Sequence, residues 1–451
     1  MLEKVSHAMQ RPSAYVGVSD PSLKQGDRIL VADDDAMTRE LLTSVLEDQG
    51  FQVFLAEDGE EAWGILQKES IQIVVTDWRM PRLDGLQLMQ RIRSRLAAQM
   101  IYVIILTGRG IDRDLVEALD TGADDFLSKP FDLEELRVRI QAGRRIVRMQ
   151  QQLLIQNWQL DQDLSAATRL HEAVLPATLP SLNGFHLDWR FRPCTHLSGD
   201  MLNVFRLDEN RIGFFVLDVS GHGAAAAMLA VTVSRLLIPV SGQTTLVKGT
   251  LSKPPYYYVD DPATVVAALR QHLLDGVCTH LFFTMIYCIL DTSTGEVAWA
   301  SAGHEPPLHA RKDSLSVLDQ EPTGALLGPD LPFTDPKEPN RVVLAPGERL
   351  WLYSDGIVEA KSLDDEMYTA DRLVRSVRDV QDRPLGESLD QVLERAADFT
   401  GAAFQDDVTL LVVGRLDPDL APVPAPRREP SAKSSRLPNR RVSSPGECRL
   451  S

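Results

Sequence analysis

The sequence predicts a multidomain chain: an α/β doubly wound domain, a helical connector, then a mixed α+β domain rich in antiparallel strands. Three observations carry this. A chain of 451 residues exceeds one ordinary hydrophobic core. From Arg28 to Arg145 short β-branched runs alternate with amphipathic helical patterns, the rhythm of a parallel sheet wrapped by helices. From Asn183 to Arg415 the rhythm changes to many strands with few helices.

In order along the chain, residues 1–26 read as a flexible leader. Residues 27–145 form the doubly wound domain, with strands in "RILVADDD", "FQVFLA", "IQIVVTD", "YVIILTG" and "DDFLSKP". The connector, 146–180, belongs to a stretch that lacks proline from Asp132 to Leu175. Its apolar residues Ile146, Met149, Leu153, Leu160, Ala167, Leu170 and Val174 recur at three-four spacing, interrupted by Gln156 and Asp163. That seam fits a coiled coil with a partner helix, which could be its own copy in a homodimer, and equally an amphipathic helix lying on either domain. Residues 181–416 form the second domain, with helices expected near 224–238, 262–275 and 385–400 and a surface insertion at 241–261. Residues 417–451, rich in Pro, Arg and Ser, read as a disordered tail.

Bulk composition excludes several functions. With 47 basic against 64 acidic residues the formal charge is −17, which argues against general affinity for nucleic acid or anionic membrane. No terminal helix-turn-helix pattern is present. No stretch is long and apolar enough to span a bilayer and the N-terminus lacks a secretory core, so a cytoplasmic protein is expected. Cys194, Cys278, Cys288 and Cys448 are scattered without a CxxC pair, which suggests neither zinc nor a disulfide framework.

The chemistry sits at strand ends. Asp33 and Asp34 close the first strand, Asp77 the third, Thr107 the fourth and Lys129 the fifth. In a doubly wound sheet these ends gather at the carboxyl edge, where ligands bind. Crowded carboxylates repel unless a divalent cation lies among them, and oxygen ligands suit Mg2+. Asp77 is then free to act as nucleophile toward a phosphoryl group, with Lys129 and Thr107 on its oxygens. "ILVADDD", "VVTDWRMPRLDG", "ILTG" and "LSKPF" closely resemble the response-regulator receiver family, which is flavodoxin-like. The resemblance implies Mg2+ at Asp33, Asp34 and Asp77, phosphorylation of Asp77 by a cognate histidine kinase or phosphotransfer protein, a switch pair in Thr107 and Phe126, and a cis bond at Lys129–Pro130.

In the second domain, Asp200, Asp218, Asp355, Asp406 and Asp407 lie beside strands or in glycine turns, with no basic residue in their motifs. Such a set again implies cations, and two metals could activate water and clamp a phosphate. "LHEAVLPATLP", "SGD", "LDVSGHGAAAAM", "FFTMIYCILD", "ASAGHEPPL", "GALLG", "LYSDGIVEA" and "DDVTLLVV" resemble the PPM-type serine/threonine phosphatases, in the bacterial branch named after stage II sporulation protein E. The resemblance implies a β-sandwich flanked by helices and two Mn2+ or Mg2+ ions bridged by Asp218. It implies the Val219 backbone carbonyl on one ion, Asp355 and Asp406 on the other, and Asp200 holding a water. The expected substrate is a phosphorylated STAS-type anti-sigma factor antagonist in a partner-switching pathway. His222 and His304 read as turn or packing residues. One departure stands out: the family's second acidic position in "GGDxxD" is Asn203, which an amide would fill without charge. It motivates the alternative of a catalytically weak phosphatase fold acting as a phosphorylation-gated adaptor.

Overall fold

The computed structural model describes residues 27–96, 99–108, 122–180, 182–240, 244–276, 281–311, 314–318, 327, 338–401 and 403–417. The expected leader, nearly all of the tail, Cys278 and Cys448 lie outside them. Two compact units divide the chain, Met1–Asp163 and Leu164–Ser451.

In the first unit, β1 (Arg28–Ala32), β2 (Gln52–Ala56), β3 (Ile73–Asp77), β4 (Tyr102–Thr107) and β5 (Asp125–Ser128) form one parallel sheet in the order β2-β1-β3-β4-β5. Helices α1 (Ala36–Glu47), α2 (Gly59–Leu66) and α3 (Gly85–Arg95) alternate with the strands. Each starts on an aspartate whose carboxylate accepts early backbone N–H groups: Asp35, Asp58 and Asp84. Strand β1 is followed by β2 on one side while β3 lies on the other, so the crevice falls at the carboxyl ends of β1 and β3. The expected cis bond at Lys129–Pro130 is present.

Helix α4 runs unbroken from Leu133 to Glu172, 40 residues. The expected connector therefore starts as a continuation of the first domain's last helix and not as a separate element. Leu136, Ile140 and Val147 are buried against the sheet. The stripe read as a seam lies on another face: Ile146, Met149, Leu153, Leu160 and Leu170 are 42–72% exposed.

In the second unit two antiparallel sheets stack. One has the order β15 (Asn340–Val343), β12 (Glu296–Ala302), β11 (Phe283–Asp291), β8 (Arg211–Val219), β7 (Met201–Arg206). The other has the order β14 (Ser314–Val317), β13 (Leu308–Arg311), β16 (Arg349–Tyr353), β17 (Val408–Arg415), β6 (Phe185–Arg192). Alternation decides what each face buries. Leu350, Leu352, Leu411 and Val413 share a core with Phe214, Val216 and Ile286 of the facing sheet. Trp351, Tyr353, Leu410 and Val412 pack outward on helices α8 (Thr369–Arg378) and α9 (Leu385–Thr400). Helices α5 (Ala224–Leu237) and α6 (Pro262–Gly276) join the first core from the other side. The result is a helix-flanked sandwich. Helix α8 and the four-residue α7 (Asp355–Val358) were not expected from the sequence. The described part of the insertion forms a hairpin of β9 (Lys248–Thr250) and β10 (Tyr257–Val259).

Candidate functional site

The first unit gathers its predicted residues at one edge. Carboxylate oxygens of Asp33, Asp34 and Asp77 lie within 4.8 Å of one another, with Asp33 buried and Asp34 exposed. The Lys129 ammonium reaches Asp33 Oδ2 at 2.7 Å and Asp77 Oδ1 at 2.9 Å. Burial pushes the Asp77 carboxyl above its usual range, Lys129 opposes this, and Asp33 and Asp34 add to it. Three carboxylates against one ammonium leave a net negative, all-oxygen pocket, which suits a small hard cation. Thr107 is buried, its hydroxyl 3.5 Å from that of Ser128. Phe126 pairs with Ile105 and Ser128 with Thr107, so Thr107 and Phe126 share a sheet face. Arg139 sits over the Phe126 ring, 5.9 Å from its centroid.

The second unit brings its aspartates together at one end of the sandwich. Asp200 precedes β7 and Asp218 lies at the end of β8. Asp355 follows β16, and Asp406 and Asp407 precede β17. Asp218 is a close electrostatic neighbour of Asp200, Asp355 and Asp406. Carboxylates crowded in this way repel one another, and a divalent cation would offset that repulsion. Burial first, then the neighbouring Asp406, raises the Asp218 carboxyl to about 6. Burial first, then Asp218 and Asp406, raises Asp355 to about 7. Asp200 is driven up by burial and by Asp218. Among the described residues no lysine or arginine forms an ion pair with these four. The donor set thus fits divalent cations.

The turn after Asp218 explains its own composition. Gly221 and Gly223 both take left-handed backbone angles, φ 81° and 95°, which disfavour any residue with a Cβ. Exposed His222 lies between them. The Val219 carbonyl oxygen approaches the loop at Gly199 so closely that a Cβ there would lie 2.6 Å from it. His304 is buried and donates to or accepts from the Thr284 hydroxyl at 2.8 Å. Burial lowers its imidazole to about 4, so it stays neutral. Thr284 is the cross-strand partner of Asp218, so His304 supports that position and packs.

Asn203 requires a correction. Register pairs Asn203 with Phe215 and Leu202 with Val216. The two-residue period places Asn203 on the opposite face from Asp218. Its Nδ2 donates to the Val174 carbonyl at 3.3 Å and its Oδ1 accepts from Val204 N at 2.8 Å. It therefore lies away from the face that carries Asp218.

Two supporting residues, Thr409 and Ser354, were not read from the sequence, and Asp407 was read only as one of the acids. The buried Thr409 hydroxyl donates to Asp200 Oδ2 at 2.6 Å. Ser354 Oγ donates to the Asp407 carbonyl at 3.3 Å and accepts from Thr409 N at 2.9 Å, which orients the strand that carries Thr409. Buried Asp407 accepts from the backbone N–H of Cys194 at 2.8 Å and of Gly199 at 2.9 Å, fastening the loop that carries Asp200. Cys194 comes within 4.8 Å of the Asp406 and Asp407 carboxylates, and burial pushes its thiol up to about 12. The one available signal was Thr409 itself, a hydroxyl on a strand face otherwise apolar at Leu411 and Val413.

Comparisons with known proteins agree with this division. The response regulator receiver domain family matches residues 29–141, and the stage II sporulation protein E (SpoIIE) family matches 208–416. The phosphate regulon transcriptional regulatory protein PhoB of Klebsiella pneumoniae is 41% identical over 118 residues, covering 26% of this chain and 52% of PhoB. The response regulator MprA of Mycolicibacterium vanbaalenii is 44% identical over 115 residues, 26% of this chain and 49% of MprA. The chain spans about half the length of these curated relatives. The SiaA-PP2C domain of Pseudomonas aeruginosa aligns at 19% identity and a TM-score of 0.47, covering 58% of this chain and 98% of that domain. The chain joins a response regulator receiver domain to a domain of the stage II sporulation protein E family.

Proposed function

We propose that this chain is a response regulator whose output is a metal-dependent protein serine/threonine phosphatase. The observation that carries the reading is Asp218 crowded by Asp200, Asp355 and Asp406 with no ion pair to a lysine or arginine among the described residues, an arrangement costly to keep unless cations neutralise it. In the receiver, Asp33, Asp34 and Asp77 would hold Mg2+. In the second domain, Asp218, the Val219 carbonyl, Asp355 and Asp406, with Asp200, would hold two Mn2+ or Mg2+ ions. When bound, such ions polarise a phosphoryl group and lower the pKa of water. The chain's own part is positioning. Lys129 orients the Asp77 carboxylate, which attacks the phosphorus as the donor's bond breaks. Thr409 holds Asp200, Ser354 braces Thr409, and Asp407 fixes the loop that carries Asp200.

The partners proposed are a cognate histidine kinase or phosphotransfer protein, and a phosphorylated STAS-type anti-sigma factor antagonist in a cytoplasmic partner-switching pathway. Phosphorylation of Asp77 shifts an equilibrium between two arrangements, and its differential affinity for them sets the sign. The exposed stripe on α4 supports pairing of two copies as a coiled coil. The adaptor alternative rested on Asn203, which lies on the opposite strand face from Asp218. Among the described residues no helix is long and apolar enough to cross a membrane.

The test is a phosphatase assay on the full-length chain with Mn2+. It uses phosphoserine-bearing STAS proteins, with and without a small acyl-phosphate donor. Phosphate release that depends on Asp218 supports the reading. No release under any state of Asp77 sinks it.

A further inference from the structure

Asn203 has a use that its sequence neighbours do not suggest. A helix leaves its last carbonyls without internal partners. At the end of α4 the following turn supplies three: Ala173 N to Arg169 O at 3.1 Å, Val174 N to His171 O at 3.1 Å and Leu175 N to Glu172 O at 3.2 Å. The Val174 carbonyl accepts from Asn203 instead. Two further contacts tie this segment to the same region. The Thr168 hydroxyl donates to the His196 carbonyl, in the loop between β6 and β7. His171 is buried with its ring 6.3 Å from that of Phe191 on β6. That loop ends in Asp200, and its Gly199 is held by Asp407. An aspartate at 203 would offer only acceptors to a carbonyl and would bury an unpaired charge. The amide is the group this contact requires.

We propose that Asn203 is a positioning residue. Its carboxamide fixes the end of α4 to the back of the strand that follows Asp200, so the placement of that end sets how tightly the aspartate centre holds its ions. This rests on the phosphatase reading for its consequence, though not for its geometry.

The test compares the full-length chain with Asn203→Asp, Asn203→Ala and Thr168→Val. Three quantities are measured: amide hydrogen exchange over residues 168–176, calorimetric Mn2+ binding, and the Mn2+ dependence of aryl-phosphate hydrolysis. Losing the buried hydrogen bond should speed exchange at Val174 and Leu175 about tenfold in Asn203→Asp. Mn2+ binding should weaken several-fold in both Asn203 variants while circular dichroism stays that of the wild type. Thr168→Val cuts the other tie without touching β7, and should weaken Mn2+ binding in the same direction by less. It carries the test if the Asn203 variants do not fold. Faster exchange with Mn2+ binding unchanged in every folded variant would make Asn203 a core hydrogen bond only and overturn the proposal, as would unchanged exchange. If the wild type binds Mn2+ but releases no phosphate, and the variants bind Mn2+ more weakly, the phosphatase reading falls and the positioning role stands.

Discussion

Replacing Asp218 by Asn should abolish metal binding and, at the same time, stabilise the metal-free protein. Asp218 is raised from the model-compound value of 3.8 to about 6, by burial first and by Asp406 second. The folded state therefore binds more protons than the unfolded chain between those two values. Stability falls as pH rises through that window, and the penalty is complete above it. About two pKa units at about 1.4 kcal/mol each make that penalty about 3 kcal/mol at neutral pH. Asn keeps the shape but is itself a buried polar group, so about 2 kcal/mol should be recovered. For a unit of this size that is a rise of about 4–8 °C in the unfolding midpoint of the second domain. Scanning calorimetry of the full-length chain in EDTA reads it, and the gap should shrink as the buffer is taken down toward about pH 4. Added Mn2+ should raise the wild-type midpoint and leave the variant unmoved. A variant less stable than wild type in EDTA, or stabilised equally by Mn2+, would refute the idea of four acids held together for a cation.

Three further outcomes are expected. Asp77→Asn should take no phosphoryl group from a small acyl-phosphate donor with Mg2+, seen by intact-protein mass; label retained on the variant would move the site elsewhere. Thr409→Val keeps the shape but strips Asp200 of its 2.6 Å donor. That should cost about 2–3 kcal/mol in denaturant unfolding with Mn2+ present and lower phosphate release, and a neutral result would mean that the Thr409 hydroxyl does not hold Asp200. Leu160→Lys places a charge in the exposed stripe of α4; light scattering should then read a smaller particle than wild type, and equal masses would remove the paired-helix proposal.

The receiver was legible because its chemistry is local. Each functional residue ends a strand, the strands are near-continuous apolar runs, and a parallel sheet brings their ends to one edge. The second site was legible only as a set of acids. Asp200 and Asp218 come from one sheet, Asp355 and Asp406 from the other, and no sequence period predicts how two sheets stack. Thr409 and Ser354 escaped notice for the same reason, and Asp407 was read only as one more acid, since their worth depends on the opposing sheet. The start of the connector has no structural break to mark it, because α4 changes its apolar stripe within one continuous helix. Leu136, Ile140 and Val147 serve the sheet, and the stripe through Ile146 and Leu153 begins before the first one ends.

Asn203 shows why nearness in sequence misled. It lies three positions after Asp200, and a motif read as a string treats them as one site. A strand has period two, so an odd offset sends the two side chains to opposite faces. Asp200 meets Thr409 across the sandwich, while Asn203 meets Val174 on the helical side. The loss of charge at 203 therefore falls on the face away from Asp218. A neutral donor is what the orphan carbonyl beyond α4 needs, and a carboxylate there would trade a hydrogen bond for a buried repulsion. The same parity turns an apparent defect of the acidic cluster into a joint between that cluster and the helix leading to it.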